Sequence, residues 1–187
     1  DCVKIDRNEI EIIQNLGKNE IGIYREETIF IKNLQKKSED VLKNFSHELN
    51  NLKILRSDFV IRLYGATIDP ISLVMEYCER GNLYQVLHSQ ELNWENVLYY
   101  TKDIFSAIQV IHQENILHRN ISSKHFYLSN SGILKISHLG FSRIILQESE
   151  TFKTLRGSAP YCPPEVFGGA SYTKKSDIYS AGIVFWE

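Results

Sequence analysis

The sequence predicts an α+β protein with two lobes: a five-stranded sheet with one helix, followed by a mainly helical lobe. Two observations lead to this fold class. The first third of the 187 residues contains short β-rich runs of alternating polarity around a single amphipathic segment. After Gly81, longer runs place apolar residues three and four positions apart, as is typical of helices. We therefore predict one domain over 1–187, with an N-lobe at 1–77, a hinge at 76–81 and a C-lobe at 82–187.

The N-lobe elements follow from local periodicity and turn residues. Strands are predicted at 10–16, 21–25, 28–34, 60–68 and 71–77. A helix is predicted at 38–55, because its leucines and Phe45 recur on one face and Ser38 can serve as its N-cap.

The C-lobe begins with a short predicted helix at 83–87 and a long one at 93–113. Two short strands at 126–128 and 133–136 flank a turn that contains Gly132, and a polar loop follows at 141–156. Residues 179–187 form a helical run, so we expect the chain to be truncated within the central helix of this lobe.

Composition excludes several classes of protein. A net charge of -2 gives no bulk attraction to nucleic acid. No apolar run reaches membrane-spanning length, so we expect no membrane insertion by this segment. Three widely separated cysteines argue against a disulfide framework and favour a reducing, cytoplasmic compartment.

Four motifs occur in a fixed order along the chain. Residues 118–125 read HRNISSKH, 135–140 read KISHLG, 157–165 read GSAPYCPPE, and 177–187 begin with Asp177 and end in Trp186-Glu187. Together they resemble the protein kinase superfamily, whose motifs here are H-R-D-L-x-x-x-N, D-F-G and A-P-E. The resemblance implies the bilobal kinase fold, in which Asp177 would hold the backbone of the His118 loop.

The same resemblance implies a set of weak nucleotide-binding candidates. They are Gly17 and Gly22 in the phosphate-covering loop, Lys32 paired with Glu48, and the hinge residues Met75, Glu76 and Cys78. A buried lysine–glutamate pair is expected because neither charge tolerates desolvation alone.

Phe30 departs from the family, which carries alanine at this position. A phenyl ring adds a large volume to a closely packed site, so we predict that Phe30 blocks the adenine pocket. The alternative is that the ring turns aside into the core of the lobe.

The positions that carry chemistry in the family are replaced. They are Asn120, Ser122, Lys124, His125 and His138. An amide cannot act as the catalytic base, and imidazole is a poor ligand for Mg²⁺. We therefore expect no functional catalytic residue, no metal site, no use of ATP or Mg²⁺, and a pseudokinase that is not an enzyme.

Three hydroxyls of the polar loop are candidate regulatory sites. They are Ser149, Thr151 and Thr154, and a phosphate on one of them could pair with Arg119 and order the loop. The alternative is a loop whose hydroxyls are not modified.

The hinge motif and residues 175–187 resemble the tyrosine-kinase-like branch, and within it the mixed lineage kinase domain-like family of necroptosis. This resemblance implies docking onto a receptor-interacting serine/threonine kinase, either as part of an executioner or as a bundle-less inhibitory decoy such as a viral homologue, which would act in the host cytoplasm. Two alternatives stay open: an ATP-binding kinase with residual phosphotransfer, and a nucleotide-binding switch without catalysis.

Overall fold

A five-stranded antiparallel sheet carries the first lobe of the computed structural model, which describes residues 3–34, 38–89, 92–144 and 159–187. Its strands are β1 (Glu11–Leu16), β2 (Asn19–Tyr24), β3 (Glu27–Asn33), β4 (Leu63–Ile68) and β5 (Ile71–Glu76). They lie in the order β1-β2-β3-β5-β4. This order places β3 at the centre of the sheet, where Phe30 pairs with Ile21 on one side and Met75 on the other.

One helix packs against this sheet. Helix α1 (Glu39–Ile54) starts after Ser38, which takes the N-cap position without a side-chain hydrogen bond. Leu52 on α1 and Leu55 just after it are buried, whereas Leu42 in the first turns is exposed. The C-terminal half of the helix therefore supplies the packed face.

The predicted strand at 60–68 begins later than expected. The backbone N–H of Ile61 donates to the carbonyl of Ile136 at 3.0 Å, and the N–H of Ile136 donates to Phe59 at 2.8 Å. Residues 59–61 therefore use their hydrogen bonds on the C-lobe, and β4 can start only at Leu63.

The second lobe is mainly helical. Its elements are α2 (Leu83–Ser89), α3 (Trp94–Gln113), β6 (Ile116–Leu117), β7 (Phe126–Leu128), β8 (Leu134–Ile136), β9 (Arg143–Ile144), α4 (Pro164–Phe167) and α5 (Lys174–Trp186). The α3 face predicted from periodicity is buried at Tyr100, Ile104, Ala107, Ile108 and Ile111. Among the described residues no helix is long and apolar enough to cross a membrane.

Helix α5 begins five residues before the predicted helical run at 179–187. Thr173 and Ser176 form a reciprocal capping box, in which the Ser176 hydroxyl accepts a hydrogen bond from the Thr173 N–H at 3.1 Å. This cap stabilises an additional turn, and that turn carries Asp177.

Candidate functional site

A partly buried ion pair joins the sheet of the N-lobe to helix α1. Lys32 Nζ on β3 lies 2.6 Å from Oε2 and 2.9 Å from Oε1 of Glu48. The Glu48 side chain is 4% exposed and that of Lys32 is 26% exposed. The predicted pair is confirmed, and it holds the lysine ammonium at the inner end of the cleft between the lobes.

An open cavity of about 430 Å³ lies beside this pair. Residues from the end of β1, the hinge, β7 and the segment before His138 form its walls. They include Leu16, Met75, Glu76, Cys78, Tyr127 and Ser137. Its volume falls within the range of small-molecule sites, and its lining combines apolar side chains with several polar ones, among them Asn19, Lys32 and Glu76.

Phe30 lines this cavity and does not fill it. The ring is half-buried and packs against the apolar cluster that contains Met75 and Leu73. The expectation that Phe30 closes the adenine pocket is therefore wrong, and the alternative orientation toward the core of the lobe describes the side chain better. Packing against neighbours on β5 stabilises this orientation.

The two glycines of the β1–β2 hairpin have different environments. Gly17 sits at the turn with φ +67, a backbone conformation that favours glycine. At Gly22, a Cβ would lie 2.7 Å from the carbonyl oxygen of Glu11, so β1 and β2 approach closely there. Asn19, between the two glycines in the sequence, lines the cavity beside the hinge, and its Oδ1 accepts a hydrogen bond from Asn33 N–H at 3.3 Å.

The hinge follows β5 directly. The Cys78 carbonyl accepts a hydrogen bond from Gly81 N–H at 3.1 Å, which turns the chain toward α2. Burial raises the pKa of the Cys78 thiol to about 12, so this thiol stays protonated and unreactive at neutral pH. Sequence reasoning missed the contact of Glu76 with Lys135 on β8, at 2.8 Å, which ties the hinge strand to the C-lobe.

Asp177 holds the loop that carries the replaced catalytic residues, as the sequence predicted. Its fully buried carboxylate accepts hydrogen bonds from the N–H groups of His118 and Arg119, each at 3.0 Å, and from Tyr172 Oη at 2.8 Å. Burial alone would raise the pKa of Asp177, but the contact with His112, the neighbouring His118 and the backbone donors hold it below its ordinary value.

Three imidazoles lie close together at the inner end of the cleft. His138 has a left-handed backbone at φ 69, and its ring stacks on His125 with centroids 4.5 Å apart and an interplanar angle of 18°. His118 lies behind them, with its ring centroid 6.3 Å from that of His125. The structure thus brings His125 and His138 together beside Lys32.

Burial makes these imidazoles neutral. It lowers the pKa of His125 to about 4, with a further contribution from the nearby His118. It lowers the pKa of His138 to about 2, and the positive charge of Lys32 adds to this effect. Both rings therefore carry a free lone pair at pH 7.

The remaining candidates of the loop have other contacts. Ser122 is buried and its Oγ lies 3.2 Å from His125 Nδ1. Lys124 is exposed, and its ammonium lies 4.7 Å from the centroid of the Tyr84 ring, on the α2 side of the loop. Asn120 is 9% exposed and presents an amide where a kinase carries its base.

The protein donors at the two family metal positions do not fit Mg²⁺. Magnesium binds through carboxylate and phosphate oxygens and water, whereas His125 and His138 offer imidazole nitrogens. The side chains at these two positions therefore do not form a site for Mg²⁺.

Arg119 is 4% exposed and has a positive φ of 66. Its three predicted regulatory partners, Ser149, Thr151 and Thr154, lie outside the described residues. Their pairing with Arg119 stays a prediction.

Sequence reasoning also missed Asn51. Its side-chain amide donates to the Leu139 carbonyl at 3.3 Å, and this contact fixes α1 against the turn after His138. The available signal was its position three residues after Glu48 on the predicted helix, which places both on one face.

Relatives with known names match almost the whole chain. It is 33% identical to Ankyrin repeat-containing protein kinase A and 34% identical to a probable serine/threonine-protein kinase, both of Dictyostelium discoideum. It is 32% identical to human Mitogen-activated protein kinase kinase kinase 7. Each alignment covers 98% of this chain but only 13%, 23% and 32% of the respective relative.

These relatives overturn two expectations from the sequence. The expectation that the domain is not an enzyme is wrong, because the relatives are named as protein kinases. The expectation that it uses no cofactor is wrong for the same reason, since protein kinases act on ATP accompanied by Mg²⁺. Both expectations followed from the replaced side chains of the loop, whereas the rest of the domain keeps the frame of the family.

A family model described as protein tyrosine and serine/threonine kinase matches residues 15–187. The match includes the ion pair of Lys32 with Glu48, the hinge and the loop held by Asp177. This chain therefore belongs to the protein tyrosine and serine/threonine kinase family.

Proposed function

We propose that this domain binds a purine nucleoside triphosphate in the cleft and transfers its terminal phosphoryl group, slowly, to a hydroxyl of a protein substrate. The observation that carries the proposal is the open cavity of about 430 Å³ between the hinge and the ion pair of Lys32 with Glu48. The adenine would lie against Met75 and Cys78, and the Lys32 ammonium would contact the phosphates.

The proposed transfer is a direct displacement at the terminal phosphorus. The substrate oxygen forms a bond to phosphorus as the bond to the β–γ bridging oxygen breaks, the nucleoside diphosphate leaves, and the hydroxyl proton passes to water. Because the transition state is largely dissociative, positioning and charge supply most of the catalysis. The amide of Asn120 can orient a hydroxyl but cannot take its proton, so we expect a rate about 10²–10⁴-fold below that of an enzyme with a base.

The proposal is tested with the purified protein, γ-labelled ATP and a mixture of peptide hydroxyl acceptors. Asn120→Asp restores the base and should raise the rate by about 10²–10⁴-fold. This gain also serves as a control for contamination. The substitution would not change the activity of a contaminating kinase, so a higher rate in the variant must come from this protein. Nucleotide binding without transfer, in both the wild type and the triple variant Asn120→Asp/His125→Asn/His138→Asp, would overturn the proposed activity.

Docking onto a receptor-interacting serine/threonine kinase is a second candidate function. It is favoured by the replacement of three chemistry-bearing residues, Asn120, His125 and His138, in a frame whose loop is held by Asp177. A pull-down with purified receptor-interacting kinase tests it, and a lack of binding at micromolar concentrations would argue against it. The similarity to the mixed lineage kinase domain-like family stays a prediction.

A further inference from the structure

A second cavity, of about 480 Å³, lies where helix α1 ends and β4 begins. It shares no lining residue with the cavity beside the hinge. Three buried apolar side chains form part of its wall: Leu52, Leu55 and Val60. Because β4 is an edge strand of the sheet, a ligand can reach this second cavity without entering the cleft between the lobes.

Most charged side chains around the second cavity are cations. Lys53, Arg56 and Arg62 line it, and none of the three has an ion pair or a side-chain hydrogen bond in the part of the chain that the structure describes. Lys135 also lines the cavity, but Glu76 neutralises this ammonium at 2.8 Å. The described lining therefore holds three cations that have no carboxylate partner.

This excess of positive charge contrasts with the chain as a whole, whose net charge is -2. Several other cations have a carboxylate partner, as Arg7 has in Glu20 and Lys32 has in Glu48. Asp58 is the one carboxylate among the described residues of the lining, and it forms no ion pair with the three cations. Like charges around one concave surface attract anions more strongly than isolated charges do, because their fields add.

The cations favour a phosphate as the anion. Arg56 and Arg62 are exposed, and a guanidinium offers a planar fork of donors that matches phosphate. A phosphate on a side chain also carries about two negative charges, compared with one for a carboxylate. The more deeply placed cation, Lys135, is 8% exposed and already neutralised. The phosphate should therefore stay at the rim with the arginines, which suits a short phosphorylated side chain.

The apolar wall indicates what lies next to the phosphate. Leu55 is buried and Leu63 is half-buried, and both line the cavity. A bilayer surface is too flat to reach a concave wall of leucines, whereas an apolar side chain beside a phosphorylated residue can enter it. This combination of apolar and basic contacts favours a protein segment over a lipid headgroup.

We propose that the second cavity binds a phosphoserine or phosphothreonine of a partner protein segment. Lys53, Arg56 and Arg62 contact the phosphate, and an apolar neighbour of the phosphorylated residue packs against Leu55 and Leu63. The domain then has a docking surface for a phosphorylated partner outside the cleft. This site does not depend on the proposed nucleotide binding.

Fluorescence anisotropy tests the site with the purified protein and a fluorescein-labelled peptide that carries phosphoserine between leucines. The phosphorylated peptide should bind at least about 10-fold more tightly than the same peptide without phosphate, the scale set by one charge-assisted hydrogen bond. Arg56→Gln/Arg62→Gln should abolish this preference. Arg25→Gln/Arg80→Gln is the matched control, because it removes the same charge from exposed arginines that do not line the second cavity, and it should keep the preference.

Backbone NMR signals locate the bound peptide. Those of Ser57 and Asp58, in the turn that lines the second cavity, should shift on addition of the phosphopeptide, whereas those of Cys78 and Gly81 in the hinge should not. Shifts at the hinge alone would place the peptide in the cleft and overturn the inference.

Three other results would also overturn it. One is the absence of phosphopeptide binding up to about 1 mM, a concentration that corresponds to very weak association. Another is an equal loss of binding in the two double variants, which would reduce the effect to bulk charge. The third is binding of phosphatidylserine-containing vesicles, lost in Arg56→Gln/Arg62→Gln, by a protein that does not bind the phosphopeptide, since the ligand would then be a lipid headgroup. All three leave the proposed phosphoryl transfer standing.

Discussion

The Asp177 carboxylate provides the sharpest test of how the catalytic loop is held. Asp177→Asn preserves size but turns one carboxylate oxygen into an N–H₂ donor. Whichever oxygen is replaced, two donors lose their acceptor: Arg119 N–H and Tyr172 O–H on Oδ1, or His118 N–H and His112 Nε2 on Oδ2. Each unsatisfied buried donor costs about 1–3 kcal/mol, so the variant should lose about 2–6 kcal/mol of the free energy of unfolding.

Urea unfolding followed by circular dichroism at pH 7 measures this loss. The matched control is Asp40→Asn, the same chemical change at an exposed position in the first turn of α1, and it should cost no more than about 1 kcal/mol. If Asp177→Asn unfolds at the same urea concentration as the control, the reasoning that this carboxylate fixes the loop is wrong.

Three other perturbations have defined outcomes. Gly22→Ala should lower the free energy of unfolding by about 1–3 kcal/mol, because the new Cβ would lie 2.7 Å from a backbone carbonyl oxygen. Gly182→Ala, on the open face of α5, should be neutral or stabilising by about 0.5–1 kcal/mol. Urea unfolding midpoints measure both changes. The folded protein should lose stability as the pH falls from about 6.5 toward 4. The unfolded chain protonates His125 and His138 near pH 6.5, whereas burial lowers their folded pKa values to about 4 and about 2. Replacing both with Asn should weaken this dependence in urea midpoints without abolishing it, because burial also lowers the pKa of His118. Glu48→Gln should weaken ATP binding, because it leaves Lys32 without its counter-charge. The measurement is the rise in melting temperature on adding ATP, which should be smaller in the variant. An equal rise would contradict the role of Glu48 in positioning Lys32.

The sequence predicted the parts of the fold that depend on local pattern. The amphipathic face of α3 and the strands around the β1–β2 hairpin follow from periodicity and glycine placement. The pairing of Lys32 with Glu48 was predicted from the resemblance to the kinase family, and it agrees with the rule that a buried charge needs a partner. These signals are contained within single elements or adjacent ones.

The features that sequence reasoning missed depend on non-local packing. The start of β4 at Leu63 is set by the hydrogen bonds of residues 59–61 to Ile136 on the other lobe. The direction of the Phe30 ring is set by its neighbours on β5, and a residue type alone does not fix a rotamer. The contact of Asn51 with the Leu139 carbonyl likewise joins residues 88 positions apart.

The loop geometry and the loop chemistry are separate in this protein. Asp177 bonds the backbone N–H groups of His118 and Arg119, and neither bond involves the side chains of Asn120, His125 or His138. Backbone bonds of this kind do not depend on the side chain of Asn120, so a substitution there changes chemistry with little effect on the frame. His125 differs, because its ring bonds the Asn120 carbonyl at 2.7 Å. Asn120→Asp should therefore raise the rate without a large change in the free energy of unfolding. If Asn120→Asp changes the rate and the free energy of unfolding together, frame and chemistry are coupled.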